Sequence, residues 1–294
     1  MANKEIKIGN TIINADSEPY LIAEIGINHN GDLQVAKKLL DAVNATNWNC
    51  AKFQKRTPDL AVPEAQKGVM KDTPWGQMTY LEYKHKLEFG KDEFDVIDSY
   101  CRLKPLDWTA SPWDIPSLEF LLQYDIPFIK IASATNANTE LLKLAARSGK
   151  PLMVSTGMST LEEVDALVGI LEKESQGNYI LMHTNAVYPT PNNELNLNAI
   201  KTLQQRYDCL VGYSGHEQAV QPSIVAISLG AVVLERHVTL SHLMWGSDHM
   251  ASLEVHGMDF IKKRLLGVLE VLGDGQIGLT EGEMEARKRL RGEE

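Results

Sequence analysis

Short apolar segments alternate with amphipathic segments along most of the chain, and this alternation restricts the fold more than any other feature. Amphipathic segments such as 32–45, 138–149 and 159–174 place apolar residues three and four positions apart and open with Asp, Asn or Ser, as helices do. Eight apolar runs of strand length lie between such segments: 20–28, 50–55, 107–114, 127–133, 151–157, 179–185, 209–215 and 232–240. Eight strand and helix repeats in 294 residues, without a break in composition, predict one α/β domain, a (β/α)8 TIM barrel spanning residues 1–294. A doubly wound open sheet is the structural alternative, since periodicity does not show closure.

Three segments fall outside this repeat. Residues 5–15 alternate apolar and polar side chains and predict a short N-terminal hairpin. Residues 56–90 form a long insertion after the second strand, and loops of this length are usually lids or disordered segments. Its Trp75, Tyr80 and Tyr83 favour an ordered lid. The charged residues 281–294 predict a solvated helix or tail.

Charge and composition exclude several classes of partner. The formal charge is −10 and no Lys/Arg cluster is interleaved with aromatic residues, which argues against nucleic acid. The first ten residues lack the apolar core of a signal peptide, and no run approaches the roughly 20 apolar residues that span a bilayer, so we expect a cytoplasmic protein without membrane contact. Cys50, Cys101 and Cys209 are far apart and form no CxxC pair, which predicts buried thiols in a reducing compartment.

Polar side chains follow every predicted strand. In a parallel barrel the carboxyl ends of the strands and the loops after them form the active site. The residues at these positions are Glu24; Lys52 and Gln54; Ser111 and Asp114; Lys130 and Ser133; Ser155 and Thr156; His183, Thr184 and Asn185; Ser214 and His216; and Glu235 and His237. Unpaired charge in a barrel core is costly, so the concentration indicates an enzyme. For single residues a structural role is an equal alternative: Lys130 can pair with a carboxylate, and His183 can be a hydrogen-bonded core histidine.

Two kinds of site follow from these residue types. His216 and His237 end neighbouring strands, and two imidazoles with water and substrate oxygens suit a divalent Mn, Zn, Fe or Co ion. Lys52 and Lys130, with the serines at the strand ends, supply the charges and hydroxyls that hold a small anion bearing phosphate or carboxylate.

The motifs themselves resemble those of the N-acetylneuraminate (sialic acid) synthase family. They are IAEIGINHNG, AKFQ, SPWD, KIAS, STGMST, YPTP, GYSGHE and ERHVTL followed by GSDHMASL, in the family's order over residues 18–290. The LGDG at residues 272–275 is similar to the end of that family's barrel. The resemblance implies a TIM barrel that condenses phosphoenolpyruvate with an N-acyl hexosamine aldehyde, giving a nonulosonic acid and phosphate with the help of a divalent metal such as Mn²⁺.

The resemblance also implies roles for individual residues. Glu24 would be the acid/base group, and His216 and His237 would bind the metal that polarises the aldehyde. Phosphoenolpyruvate would be held by Lys52, Ser111, Lys130, Ser133, Ser155 and Ser214. Gln54, Tyr188 and Asp248 would contact sugar hydroxyls. In the loop around Asp248, His249 is expected to support it and His242 to be an ordinary loop residue.

Two departures from the family pattern matter. Ala186 stands where relatives place a polar contact for phosphoenolpyruvate, and Asn185 is expected to substitute for it. The resemblance is to the barrel domain only: relatives continue into a small antifreeze-like domain that covers the partner subunit's active site, whereas this sequence ends at Glu294. We expect that domain to be a separate polypeptide, or the insertion 56–90 to cover the site, or the sugar to need no such contact. The resemblance implies a homodimer, here without exchanged C-terminal domains.

Three other functions remain open from the residues. A lyase or aldolase would form a Schiff base on Lys130 or Lys52. A 3-deoxy-ulosonate phosphate synthase would need further Arg or Lys residues for a second phosphate, and the strand ends offer few. A catalytically inactive barrel that binds a sugar acid is the alternative outside enzymes, and Glu24, Lys52, His216 and His237 argue against it.

Overall fold

The computed structural model describes residues 4–265 and 267–292, which contain a parallel eight-stranded barrel. Counting a two-stranded hairpin first, the barrel strands are β3 (Tyr20–Gly26), β4 (Cys50–Lys55), β7 (Asp107–Pro112), β8 (Ile129–Ile131), β9 (Leu152–Ser155), β10 (Tyr179–Thr184), β11 (Leu210–Gly215) and β12 (Val233–His237). Except for β7 and β8, each strand is hydrogen-bonded to the next along the chain, and the last strand, β12, pairs with the first, β3. The two sheet edges, β7 and β8, meet where Thr109 Oγ1 donates a hydrogen bond of 2.8 Å to the Phe128 carbonyl. This circular order confirms the TIM barrel.

The predicted N-terminal hairpin is also present. Strands β1 (Ile6–Ile8) and β2 (Thr11–Ile13) pair antiparallel. Their buried Ile6, Ile8 and Ile13 pack against the inward-facing apolar residues at the amino ends of the barrel strands, among them Ile22 and Phe128. The hairpin therefore closes the amino-terminal end of the barrel.

Helices cover the outside of the barrel. They are α1 (Leu33–Ala45), α5 (Lys91–Leu103), α6 (Ile115–Leu121), α7 (Thr139–Arg147), α8 (Leu161–Glu174), α9 (Ala199–Arg206), α10 (Gln221–Ser228) and α11 (Val255–Leu265). Their apolar faces and the outward-facing strand residues form the larger hydrophobic core. Asp32 and Asn138 cap α1 and α7 as their positions predict, whereas α8 begins one residue later than its first serine indicates, with Thr160 as the cap.

The insertion after β4 is an ordered substructure. It contains α2 (Pro58–Ala61), α3 (Glu64–Lys67), the hairpin of β5 (Met70–Thr73) and β6 (Gly76–Thr79), and α4 (Tyr80–Leu87). A capping box between Thr79 and Glu82 starts α4. The ring of Trp245, in the loop after β12, lies 5.3 Å from Tyr83 and 6.0 Å from Trp75, so the insertion packs beside the mouth of the barrel.

The C-terminal part adds α12 (Val268–Leu272) and α13 (Glu281–Arg291). Helix α13 has no buried residue, as its charged sequence predicts. Cys50, Cys101 and Cys209 are buried free thiols. Among the described residues, no helix combines the length and apolar character needed to cross a membrane.

Candidate active site

Because side chains alternate along a strand, polar residues near the carboxyl ends of the strands face the interior of the barrel. Along β12, Val233 faces the interior near the hairpin, and the side chains at positions 235 and 237 follow it on the same face. The same alternation on the other strands produces a cavity of about 240 Å³ at the carboxyl end. Its lining is Glu24, Lys52, Gln54, Ser111, Trp113, Lys130, Ala132, Ser133, Ala134, Ser155, Met158, Ala186, Tyr188, Ser214, His216, Glu235 and His237.

Lys52 is the centre of one hydrogen-bonded group in this cavity. Its Nζ lies 2.5 Å from Glu24 Oε2 and 3.8 Å from Glu235 Oε1, and it donates to Ser111 Oγ at 3.0 Å. Glu24 also accepts a hydrogen bond of 3.2 Å from Gln54 Nε2. The lysine therefore lies between two carboxylates and a hydroxyl on three other strands.

Lys130 forms a second group on the opposite side of Glu235. Its Nζ donates to Ser155 Oγ at 2.7 Å and lies 3.7 Å from Glu235 Oε1, which also accepts from Ser214 Oγ at 3.0 Å. One carboxylate thus stands between two ammonium groups. Lys130 does pair with a carboxylate, but this carboxylate lines the same cavity, so the pair belongs to the site.

Burial and neighbouring charges shift the pKa values of Glu24 and Glu235 in opposite directions. Burial raises the pKa of Glu24, and Lys52 and His237 only partly oppose it. Burial also raises the pKa of Glu235, but Lys130 and Lys52 outweigh it and hold the value at about 2. Burial lowers the pKa of Lys130, whereas the two carboxylates outweigh burial at Lys52 and raise its pKa. Glu235 is therefore the permanent anion, and Glu24 is the carboxyl group better suited to exchange a proton.

Two imidazoles and a phenol form the other wall. The rings of His216 and His237 lie 5.5 Å apart, and Tyr188 stacks on His216 at 3.9 Å. His216 Nδ1 donates to the Asn185 carbonyl, which leaves Nε2 to accept from the Tyr188 hydroxyl at 2.7 Å. Burial, followed by the charge of His237, lowers the pKa of His216 to about 3. His216 therefore stays neutral, and a metal ion on its Nε2 would replace the hydrogen bond from Tyr188.

His237 has the free nitrogen that a metal ligand needs. Its Nδ1 is buried without a hydrogen-bond partner among the described residues, and Asp248 Oδ2 lies 3.9 Å away. No cluster of three or more His, Cys, Asp or Glu side chains suitable for a metal occurs in residues 4–265 and 267–292. A metal ion held by these two histidines would therefore need further ligands from water or substrate oxygens.

Of the strand-end residues without an assigned role, Thr156 and Thr184 line a neighbouring groove and Asp114 caps α6. Of the residues with an assigned role, all but two line this cavity. Asn185 turns its amide away, donating to the Glu194 carbonyl at 3.0 Å and accepting from the Val187 N–H at 2.9 Å, and only its backbone carbonyl reaches His216. Asp248 lies just outside the cavity beside His237. In the loop after β12, His249 bonds Thr239 at 2.8 Å and His242 bonds the Ser252 carbonyl at 2.8 Å.

His183 lies in a separate groove next to the cavity. Its Nε2 bonds the Leu195 carbonyl at 2.9 Å, and burial lowers its pKa. Of the two roles that the sequence left open for His183, the structure therefore favours that of a hydrogen-bonded core histidine.

Glu235, which the sequence places at the end of β12 without a specific role, is the carboxylate shared by the two lysines. Two further residues in or beside the site are absent from the expected set. Trp113 lines the cavity, and the guanidinium of Arg56 lies 4.3 Å above its ring. Arg56 also donates to Gln54 Oε1. Trp113 belongs to the SPWD motif, which implies no role for it, and no pattern in the sequence points to Arg56.

Comparison with known proteins gives consistent matches over the whole barrel. Residues 39–277 match the model of the NeuB family. The N-acetylneuraminate-9-phosphate synthases of Drosophila melanogaster and Mus musculus are 41% and 34% identical over 80% and 92% of this chain. The chain spans 64% of the fly protein and 76% of the mouse protein. The crystal structure of an N-acetylneuraminic acid synthetase from Leptospira borgpetersenii superposes with a TM-score of 0.88 at 29% identity, covering 99% of both chains.

Proposed function

Because this chain belongs to the NeuB family, we propose that it condenses phosphoenolpyruvate with an N-acyl hexosamine to give a nonulosonic, sialic-type acid and phosphate. The observation that carries the proposal is the arrangement of Lys52 and Lys130 around one small cavity, with His216 and His237 on its opposite wall. This pairs an anion-binding end with an end suited to a carbonyl group.

Phosphoenolpyruvate would occupy the lysine end. Its carboxylate and phosphate are small anions, and Lys52 and Lys130 provide two buried ammonium groups. Ser111 and Ser155 each already bond one of these lysines, and both hydroxyls line the cavity beside Ser133 and Ser214. Glu235, which lies between the two ammonium groups, lessens their mutual repulsion before the substrate binds.

The aldehyde of the open-chain sugar would lie at the histidine end. We assign His216 and His237 as ligands of a divalent ion, with Mn²⁺ the first choice, and such an ion polarises the aldehyde oxygen. Glu24 lies beside both ends, since its carboxyl touches Lys52 and Gln54 and the Cε1 edge of His237 lies close to the same point. Gln54 and Tyr188 line the cavity where sugar hydroxyls would fall, and Asp248 stands next to them.

The reaction balances with these groups. The C3 carbon of phosphoenolpyruvate forms a bond to the aldehyde carbon, and the carbonyl oxygen takes a proton to become a hydroxyl. Bond formation leaves an oxocarbenium ion at C2, and water adds to C2 with loss of one proton. The tetrahedral centre then breaks its C–O bond to phosphate, and the second proton of the water passes to the phosphate as C2 becomes a ketone. We assign Glu24 as the group that moves a proton in these steps, because its raised pKa allows it to carry one.

The test is phosphate release from phosphoenolpyruvate with Mn²⁺ and a panel of N-acetylmannosamine, its 6-phosphate, mannose and 2,4-diacetamido sugars. The proposal expects metal-dependent release with an N-acyl sugar and little with mannose. Absence of turnover with every sugar would overturn it. If EDTA left activity intact and borohydride trapped the substrate on a lysine, the Schiff-base mechanism would be correct instead. Binding without turnover would indicate an inactive barrel.

Location and assembly are part of the same proposal. Three buried, unpaired cysteines suit a reducing compartment, and we place the enzyme in the cytoplasm. We propose a homodimer, which light scattering of the purified protein would test.

A further inference from the structure

We propose that the insertion carries a second anion site, formed by Lys84, Lys71 and Arg56, which binds a phosphate at the end of the acceptor sugar remote from its aldehyde. The inference rests on the proposed synthase function and deepens it by naming a hexosamine 6-phosphate as the acceptor. Few basic residues follow the barrel strands, but the insertion brings three to the mouth.

Lys84 carries a charge that no carboxylate compensates directly. It is half-buried on α4, and among the described residues no acidic side chain forms an ion pair with it. Its Nζ instead lies 5.0 Å from the centre of the Tyr80 ring and 5.3 Å from that of Tyr83. Lys71 lies over the same two rings, at 5.0 and 5.8 Å. Two cations that face aromatic rings have weak partners and remain open to an anion.

Arg56 supplies a third cation that is nearly fully buried. Its Nε has no hydrogen-bond partner among the described residues, and the nearest carboxylate oxygen, of Glu88, lies 3.7 Å away. Glu88 is shared, since Lys55 bonds it at 2.6 Å. An arginine with an unused donor in so buried a place is costly unless a further partner arrives.

The contacts of Arg56 place this cluster next to the active site. Arg56 donates to Gln54 Oε1, and the same Gln54 side chain donates to Glu24 through Nε2. The Arg56 guanidinium also covers Trp113, which lines the cavity. A sugar with its aldehyde beside His237 and its hydroxyls along Gln54 would therefore extend towards the insertion.

The electrostatics of the cluster favour an anion. Burial, together with repulsion from Arg56 and Lys71, lowers the pKa of Lys84 to about 8, against the partial opposition of Asp248 and Glu88. Three cations converge here against two carboxylates, one of which is engaged by Lys55. A phosphate dianion would relieve this repulsion.

The experiment compares kcat/KM for N-acetylmannosamine 6-phosphate with that for N-acetylmannosamine. We expect the wild-type protein to favour the phosphorylated sugar, and Lys84→Gln to lower its kcat/KM by about 10–100-fold while changing that for the unphosphorylated sugar by about twofold or less. Lys86→Gln is the matched control, because Lys86 lies on the same helix but is exposed and faces Trp75 at 5.2 Å.

The outcomes separate this inference from the synthase proposal. Preference for the unphosphorylated sugar, or an equal loss for both sugars in Lys84→Gln, would overturn the second anion site and leave the synthase reaction standing. If no sugar is turned over, the synthase proposal fails, and calorimetry with the two sugars decides the inference. Tighter binding of the 6-phosphate that Lys84→Gln weakens would support the site, and equal binding of both sugars would refute it.

Discussion

Glu24 Oε2 lies 2.5 Å from Lys52 Nζ across the paired strands β3 and β4, and both side chains are almost fully buried. A buried ion pair is a weak source of stability, because taking two charges out of water offsets most of their attraction. Apolar residues at these positions would fill the barrel as well. The pair is therefore better explained by a role in catalysis than by a role in stability.

Glu24→Gln should keep the shape of the side chain and remove the proton carrier. We expect phosphate release to fall by about 10²–10⁴-fold, the usual contribution of general acid/base catalysis. Glu140→Gln, at an exposed surface pair with Lys143, is the control and should retain full activity. Activity of Glu24→Gln near the wild-type value would remove Glu24 from the acid/base role.

His237→Ala should abolish metal-dependent turnover and leave the fold nearly intact, because its Nδ1 bonds no other described residue. Activity should not return at high Mn²⁺, and metal binding measured by calorimetry should weaken. His256→Ala, at an exposed position on α11, is the matched control. Full activity of His237→Ala would refute the ligand assignment.

Glu235→Gln should destabilise the protein more than any exposed Glu→Gln change. It leaves Lys52 with Glu24 alone and Lys130 without a carboxylate, and breaking a buried charge pair costs about 3–5 kcal/mol. Urea unfolding of this variant and of Glu140→Gln measures the difference. A loss no larger than that of Glu140→Gln would mean that the lysines tolerate the missing charge and that Glu235 does not hold them in place.

Two glycine substitutions should have opposite effects. Gly31 has a φ of +69°, and a Cβ there would run into the backbone carbonyl of Lys86 at the end of α4. Gly31→Ala should therefore destabilise the protein by more than about 1 kcal/mol and disturb the insertion. Gly169 lies in the exposed interior of α8 with open space around it, so Gly169→Ala should stabilise by about 0.5–1 kcal/mol. Denaturant unfolding decides both, and equal effects would contradict the expectation.

The sequence predicts those parts of this structure that follow from local periodicity. The predicted run 50–55 has the same first and last residues as β4, and alternation along β12 places Glu235 and His237 on one face. Strand ends are less well predicted: the run 127–133 yields only Ile129–Ile131, since its first two residues precede the strand and its last two begin the loop before α7. The direction of the Asn185 amide depends on contacts with Glu194 that no pattern encodes.

The basic cluster of the insertion could not be predicted from the sequence either, because it depends on contacts between distant segments. Lys71, Lys84 and Arg56 are separated in sequence by up to 28 residues, and the hairpin β5–β6 and helix α4 bring them together. The insertion is held in place by Trp245, which follows the last barrel strand. Contacts between distant segments, not composition, decide where these charges lie.

The pH dependence of acceptor selection gives a prediction for Lys84. With a pKa of about 8, Lys84 is charged below that pH and neutral above it. A phosphate monoester has its second pKa near 6, so it is mainly a dianion above about pH 7. The ratio of kcat/KM for the 6-phosphate to that for the unphosphorylated sugar should therefore vary little between about pH 7 and pH 8. Above pH 8 the ratio should fall, by up to about tenfold per pH unit.

The groups that face Lys84 do not produce the same fall. They are Arg56, Lys71, Glu88, Asp248, Tyr80 and Tyr83. Burial raises the pKa values of both tyrosines, so they stay neutral, and Arg56 stays charged although burial lowers its pKa. The ratio of the two kcat/KM values cancels the effect of any group whose titration changes the catalytic steps common to both sugars. Lys84→Gln should flatten the ratio across the range, since its side chain has no proton to lose. A ratio that falls equally in Lys84→Gln, or one that stays constant in the wild-type protein, would show that another group binds the distal phosphate.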